Sequence, residues 1–313
     1  MWFDLLLILL GLGFLYFGGE FLISGSIQVA KFFKLSPFTI GAVVIGFGTS
    51  APELCVSLLA TLQGAPEVSL GNVVGSNIAN IGLVLGITAL IAPVTIEPGR
   101  LKKETPPLLF ATGMLLFFTW NQFLSRIEGG ILFACIVGYV LLALTAKDGG
   151  DLELEEESSY FPSAGLLIQV GLIIVGLVGL VLGAHWMVQG AVNIARSYGI
   201  SEWLIGITIV AVGTSLPEIV SATLSALKGH GEMALGNVFG SNIFNITMVL
   251  GTASLIQPLN IVSPIQMDLV YCAGLTLGLI ALIRFGHNLK KIDGLFLLTA
   301  YAVYIVIKSV GQA

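Results

Sequence analysis

Apolar residues run almost unbroken in stretches of about 20 along most of the chain, the length a helix needs to cross the hydrocarbon of a bilayer. Glycine, proline and charged residues punctuate these stretches. Reading the breaks predicts ten spans, roughly 2–30, 38–62, 69–92, 106–122, 128–146, 164–194, 203–227, 234–256, 265–284 and 292–310. Barrel strands alternate with period two, whereas these runs are continuous, and backbone in lipid must pair within its own segment. The predicted fold class is therefore an all-α polytopic membrane protein. The opening run, MWFDLLLILLGLGFLYFGG, has no positively charged flank of the kind a secretory signal carries and reads as the first span.

The polar interruptions recur. GTSAPE at 48–53 returns as GTSLPE at 213–218, and GNVVGSNIANI at 71–81 returns as GNVFGSNIFNI at 236–246. A shift of 165 aligns 40–93 with 205–258 without a gap, and 27 of the 54 pairs are identical. The chain thus reads as a duplicated unit of five helices, 1–146 and 163–313, joined by the acidic stretch KDGGDLELEEESSYFP at 147–162. Five is odd, so the second copy enters the membrane from the other side, which makes an inverted repeat. One set of loops carries Lys31, Lys34, Arg100, Lys102, Lys103, Lys147, Lys228, Arg284, Lys290 and Lys291; the other side has only Arg126, Arg196 and Lys308. That bias, ten against three, places the linker in the cytoplasm and both termini outside the cell membrane.

Composition agrees. Of 313 residues 56% are hydrophobic and 10% charged, with a mean hydropathy of +0.99, whereas a soluble domain carries about 25% charged residues. The net charge of −5 sits in loops, and no basic patch interleaved with aromatics suggests nucleic acid. Cys55, Cys135 and Cys272 fall inside apolar runs and read as small core residues rather than disulfide partners. The run DLELEEE lacks the spacing and glycine of an EF-hand loop, so it reads as solvated linker.

The chemistry lies in the repeats. Thr49 and Glu53 are four apart and share a helix face, with Ser50 on an adjoining one. Pro52 has no N–H for the carbonyl of Gly48 and opens the turn before it. Thr214, Ser215, Pro217 and Glu218 repeat the arrangement; Ser76 with Asn80 and Ser241 with Asn245 form a second matched pair. Together these supply two carboxylates, two amides and six hydroxyls, with no Cys or His. An oxygen-only cage suits hard cations such as Ca²⁺ and Na⁺. A carboxylate at mid-membrane costs roughly 2.5–3.5 kcal/mol on insertion scales, so two of them call for a compensating cation or a water-filled cavity. The plainer reading, glutamates protonated or packed as structural glue, has to explain why the whole oxygen-rich block occurs twice.

These motifs, G-T-S-x-P-E followed by G-S-N-I-x-N in two copies, resemble those of the cation/Ca²⁺ antiporters, most closely the prokaryotic Na⁺/Ca²⁺ exchangers, over nearly the whole chain. The resemblance implies ten helices, the first and sixth sliding across a core of the other eight. It implies ion sites lined by Thr49, Ser50, Glu53, Ser76, Asn80, Thr214, Ser215, Glu218, Ser241 and Asn245, with the carbonyls of Gly46 and Ala211 contributing. It implies Ca²⁺ held by Glu53, Glu218, Thr49 and Thr214, three Na⁺ exchanged per Ca²⁺, no cofactor and no enzymatic activity. The expected partners are Ca²⁺, Na⁺ and membrane lipid, with the chain working as a monomer. Asn245 stands where close relatives often carry Asp, which leaves two acids in the site and argues against K⁺ co-transport. The proton-coupled branch has an acid in G-N-x-x-E; here the motif reads GNVVG and GNVFG, which favours Na⁺ over H⁺. A Ca²⁺/H⁺ antiporter is the alternative. A cation channel and an intramembrane enzyme with Ser50 or Ser215 as nucleophile fit less well, since inverted repeats suit alternating access and no Lys or His lies near either serine in sequence. Glu20 and His185 are 165 apart in spans one and six; they either couple the sliding of those helices or face a polar crevice.

Overall fold

The computed structural model describes residues 2–95, 97–145, 165–199, 209, 211–262, 264–286 and 288–310. The expected linker at 147–162 and the first part of the span expected at 203–227 lie outside them.

Two long helices of 32 residues each, α1 (Trp2–Phe33) and α9 (Leu166–Ser197), form a closely packed pair. At 1.5 Å per residue each is about 48 Å long, more than the hydrocarbon thickness, so each is long enough to cross it at a tilt or to extend past it. Both carry glycines seven residues apart, which puts small residues on one stripe and lets the backbones touch. A Cβ on Gly18 would sit 2.8 Å from the amide nitrogen of Leu180, and one on Gly183 would sit 2.7 Å from that of Leu15. Gly11 meets Gly183 and Gly25 meets Gln169, so numbering rises along one helix as it falls along the other: the pair is antiparallel.

In the first half of the chain, α2 (Pro37–Ile40), a π-helical turn (Gly41–Ile45) and α3 (Gly46–Thr49) lead into α4 (Ala51–Leu62), with a 44° bend at the break. The helix α5 (Pro66–Ala79) continues through a π turn (Asn80–Val84) into α6 (Leu85–Ile91). Strand β1 (Val94–Thr95), α7 (Pro98–Thr119), β2 (Phe123–Leu124) and α8 (Arg126–Thr145) complete this half. The second half follows the same plan: α10 (Ala211–Thr214), α11 (Leu216–Leu227), α12 (Gly231–Phe244), a π turn (Asn245–Val249), α13 (Leu250–Ile256), β3 (Leu259–Asn260), α14 (Gln266–Gly286), β4 (Asn288–Leu289) and α15 (Lys291–Val310).

The halves are stitched together at equivalent places. Strand β1 pairs with β4 and β2 with β3, both antiparallel, so each short ribbon joins one half to the other. Glu232 accepts from the backbone N–H of Glu97 at 3.1 Å, and Glu67 from that of Val262 at 2.7 Å. The acceptors are 165 residues apart, and so are the donors. The main buried cluster lies where α5, α6, α12 and α13 cross, with α7, α8, α14 and α15 around them; a second lies around α1, α2 and α9.

Among the described residues seven helices are long and apolar enough to span a membrane, or eight counting the bent pair Pro37–Thr49 and Ala51–Leu62. Two readings of the sequence need correction. The span expected at 106–122 begins earlier: α7 starts at Pro98, so Arg100, Lys102 and Lys103 are helical rather than in a loop, and Pro106 and Pro107 lie inside the helix. Neither proline can bond the carbonyl four residues before it. Those carbonyls belong to Lys102 and Lys103, which are exposed, so solvent can bond them at little cost. The cysteines are all free, but only Cys272 is buried; Cys135 is half-buried and Cys55 exposed on α4. Lipid is as apolar as a protein core, so an apolar run does not say which of the two a cysteine faces.

Candidate cation site

The two GTSxPE motifs form the same breaks in helical structure. Ser50 and Ser215 take the N-cap positions of α4 and α11, with Pro52 and Pro217 at the second helical position. An N-cap serine ordinarily accepts a hydrogen bond from the N–H of the second or third helical residue. Proline at the second position has no N–H to give, the N–H of the third residue is not used, and neither serine makes a side-chain cap bond. The motif thus leaves both hydroxyls uncommitted to the helix. Glu53 and Glu218 follow in the first turns, where the positive end of the helix dipole favours a carboxylate.

These side chains converge. Glu53 and Glu218 are 4% and 1% exposed, and Glu218 lies within electrostatic reach of Glu53 and beside Thr49. Thr49 donates toward the side-chain oxygen of Asn237 at 3.3 Å and stands 3.5 Å from the hydroxyl of Ser241. Ser241 donates to the carbonyl of Gly46 at 3.2 Å, which brings that backbone oxygen to the site. Thr214 is exposed, while its counterpart Thr49 is fully buried; Ser76 is half-buried, while its counterpart Ser241 is fully buried. Ala211 opens α10, one turn before Thr214.

Of the buried oxygens that have no hydrogen-bond partner among the described residues, five lie on motif residues, Ser50 Oγ, Glu53 Oε2, both carboxyl oxygens of Glu218, and Asn245 Oδ1, while Ser26, Ser69 and Ser225 hold others elsewhere. Leaving one such group unpaired costs about 1–3 kcal/mol, more for a charge. All five belong to residues singled out from the sequence, and all are acceptors when the carboxyls are ionised, as a hard cation requires. Among the described residues no group of three or more His, Cys, Asp or Glu is assembled.

Sequence reading missed Asn72, Asn77, Asn237 and Asn242, four asparagines that hold this site. Asn77 and Asn242 exchange long amide-to-carbonyl bonds, 3.4 and 3.5 Å. Asn80 donates to the side-chain oxygen of Asn242 at 3.1 Å, and Asn245 to that of Asn77 at 3.2 Å. The tetrad ties the amide nitrogens of Asn80 and Asn245 to the opposite half, which leaves Asn245 Oδ1 to the site. The π turns begin at these two residues. Asn237 donates to Ser221 at 2.8 Å while accepting from Thr49; Asn72 donates to Ser57 at 3.0 Å and to the carbonyl of Glu53 at 3.2 Å. The available signal was polarity: buried amides in an apolar run, each repeated at 165.

Glu20 and His185 do not behave as a pair. Glu20 is buried and bonded to Lys228 Nζ at 2.7 Å, joining α1 to the end of α11, whereas His185 is exposed on α9.

Long apolar helices, a duplicated helical break and a buried oxygen-rich site define a multi-pass membrane protein with the donor chemistry that hard cations take. The profile of the family described as sodium/calcium exchanger protein matches residues 3–145 and 168–310, and the chain belongs to that family. It is 35% identical over 305 residues to the putative antiporter CaxA of Alkalimonas amylolytica, covering 95% of this chain and 96% of that one. It is 32% identical over 345 residues to the sodium/calcium exchanger MaX1 of Methanosarcina acetivorans, covering 97% and 98%. A structure of the sodium-calcium exchanger NCX_Mj, soaked with Na⁺ and no Ca²⁺, superposes with a TM-score of 0.82 at 34% identity, covering 97% and 98%. The family is one of transporters rather than catalytic enzymes.

Proposed function

We propose that this chain is a secondary antiporter that exchanges Na⁺ for Ca²⁺ by alternating access. The observation that carries the reading is the buried, unpartnered oxygen set on Ser50, Glu53, Glu218 and Asn245. One Ca²⁺ is held by Glu53, Glu218, Thr49 and Thr214, and its two charges balance those of the two glutamates. Na⁺ ions spread over the same oxygens, with Ser50, Ser76, Asn80, Ser215, Ser241, Asn245 and the carbonyls of Gly46 and Ala211 completing their shells. Because one oxygen set serves both ions, occupancy by one excludes the other, and coupling follows from that competition.

In this reading the chain has ten spans in two inverted five-helix units, 1–146 and 163–313, joined by a cytoplasmic linker, with both termini outside the cell membrane. It works as a monomer in lipid and takes no cofactor. The antiparallel packing of α1 on α9 supports the inverted arrangement. Na⁺ is favoured over H⁺ because the G-N-x-x-E acid is replaced by Gly75 and Gly240.

The test is radioactive Ca²⁺ uptake into Na⁺-loaded proteoliposomes diluted into Na⁺-free buffer, beside vesicles carrying only a pH gradient. Uptake driven by the Na⁺ gradient is expected. Uptake driven by the pH gradient alone would sink the Na⁺ assignment in favour of a Ca²⁺/H⁺ antiporter, and uptake under neither would sink the Ca²⁺ assignment.

A further inference from the structure

A cavity of about 190 Å³ runs from Ser76, Thr214 and Ser215 to Tyr301, Tyr304 and Ile305 on α15. It lies on the side of the site where Ser76 and Thr214 stand. Gly71 and Gly75 line it, and among the described residues nothing stands within 4 Å of a Cβ built on either. Their counterparts Gly236 and Gly240 are pressed against the backbone of Phe38 and Ala42.

The α15 wall of this cavity is charged at its far end. Tyr301, Tyr304 and Lys308 recur at helical spacing and share one face. The Tyr304 hydroxyl donates to Asp268 Oδ1 at 3.1 Å, and Lys308 Nζ lies 2.9 Å from Asp268 Oδ2. The ring of Tyr304 lies 5.1 Å from that of Tyr271, whose hydroxyl donates to the carbonyl of Ala300 at 2.6 Å. Tyr304 is thereby fixed at its tip and along its face. An ion pair is a poor way merely to join two helices, because apolar contacts of similar size hold them as well or better. Neither Asp268 nor Lys308 lines the cavity itself, but the pair is tied to it through Tyr304, which does, and that attachment gives it another use.

We propose that this cavity is the vestibule through which cations reach the site, that Tyr304 is its fixed wall, and that Asp268 and Lys308 set the charge at its mouth. Paired, the two cancel; alone, Lys308 repels arriving cations and Asp268 attracts them. The vestibule role rests on the transport reading above, but the electrostatics can be read without transport.

The experiment labels Gly71→Cys, in a chain with Cys55, Cys135 and Cys272 replaced by alanine, with a cationic and a neutral methanethiosulfonate of similar size. Lys308→Gln raises the cationic-to-neutral rate ratio and Asp268→Asn lowers it. Each change is roughly two- to fourfold, the order of effect that one unit charge has across about 5–10 Å of water. Both changes shrink as salt is added, and the double variant returns near the starting ratio. In proteoliposomes Lys308→Gln lowers KM for Ca²⁺ and Asp268→Asn raises it, with kcat unchanged. A merely structural ion pair moves both variants in one direction, independent of salt and of reagent charge, and that result overturns the proposal. If Asp268→Asn fails to fold, Lys308→Gln alone decides it: an unchanged ratio is fatal. Charge-dependent labelling without any uptake refutes the antiport reading and leaves the vestibule standing; Na⁺-driven uptake with charge-independent labelling does the reverse.

Discussion

Thr49 and Thr214 occupy equivalent turns 165 residues apart, yet Thr49 is fully buried against Asn237 and Ser241 while Thr214 is exposed beside a cavity. Identical motifs thus stand in different surroundings: one half of the site is closed and the other reachable. Exchange between two such arrangements is what alternating access between repeats requires.

Glutamine in place of Glu53 or Glu218 keeps size and loses charge. Ca²⁺-dependent exchange should fall at least a hundredfold in each variant. Melting temperature in ion-free detergent should hold or rise, because an uncompensated buried charge is removed. Paired uptake and thermal-melt assays check this; loss of folding in both variants would instead mark the glutamates as structural.

The glycines one position before Ser76 and Ser241 should respond unequally. Gly240→Ala drives a methyl into the backbone of Ala42. Overpacking of that kind costs about 1–3 kcal/mol, a drop of several degrees in Tm. Gly75→Ala meets open space among the described residues and should leave Tm nearly unchanged. Equal shifts would contradict the asymmetry of the two halves.

Asn237 bridges Thr49 and Ser221 from outside the two GTSxPE hexapeptides. Replacing it with leucine frees the Thr49 hydroxyl and leaves Ser221 without its amide donor. One or two lost buried hydrogen bonds, about 1–3 kcal/mol, should raise KM for Ca²⁺ roughly 5- to 100-fold. Turnover at saturating ion should be affected less. A kcat loss with unchanged KM would remove Asn237 from the positioning of the site.

Ca²⁺ should stabilise the protein by mass action, by about 2.7 kcal/mol at a hundred times Kd. The rise in Tm should be absent in Glu53→Gln and reversed by excess Na⁺, which competes for the same oxygens. A Ca²⁺-induced rise that survives Glu53→Gln would place the ion elsewhere.

Much of the site was legible because its cues are local. A proline two residues after serine in an apolar run shows in the sequence, and so does its consequence: one of the two N–H groups that could cap onto Ser50 is gone. The partners of these residues were not legible. Nothing near Asn77 says that it faces Asn242, or that Asn245 gives its nitrogen to Asn77 and keeps its oxygen for the site. The start of α7 was misjudged for a related reason: hydropathy marks where lipid begins, and a helix can begin two turns earlier in water.

The chain's hydrophobic lengths by themselves determined a helical membrane protein, and self-similarity at 165 determined a duplicated unit with an oxygen-only motif in each copy, because hydropathy and repetition need no partner to be read. Tertiary structure alone decided which copy is closed, which strands join the halves, which amides cross-brace the site and that Cys55 looks outward. Those facts depend on how helices far apart in sequence cross. In a chain whose core and surroundings are equally apolar, hydrophobicity cannot tell the inward face from the outward one.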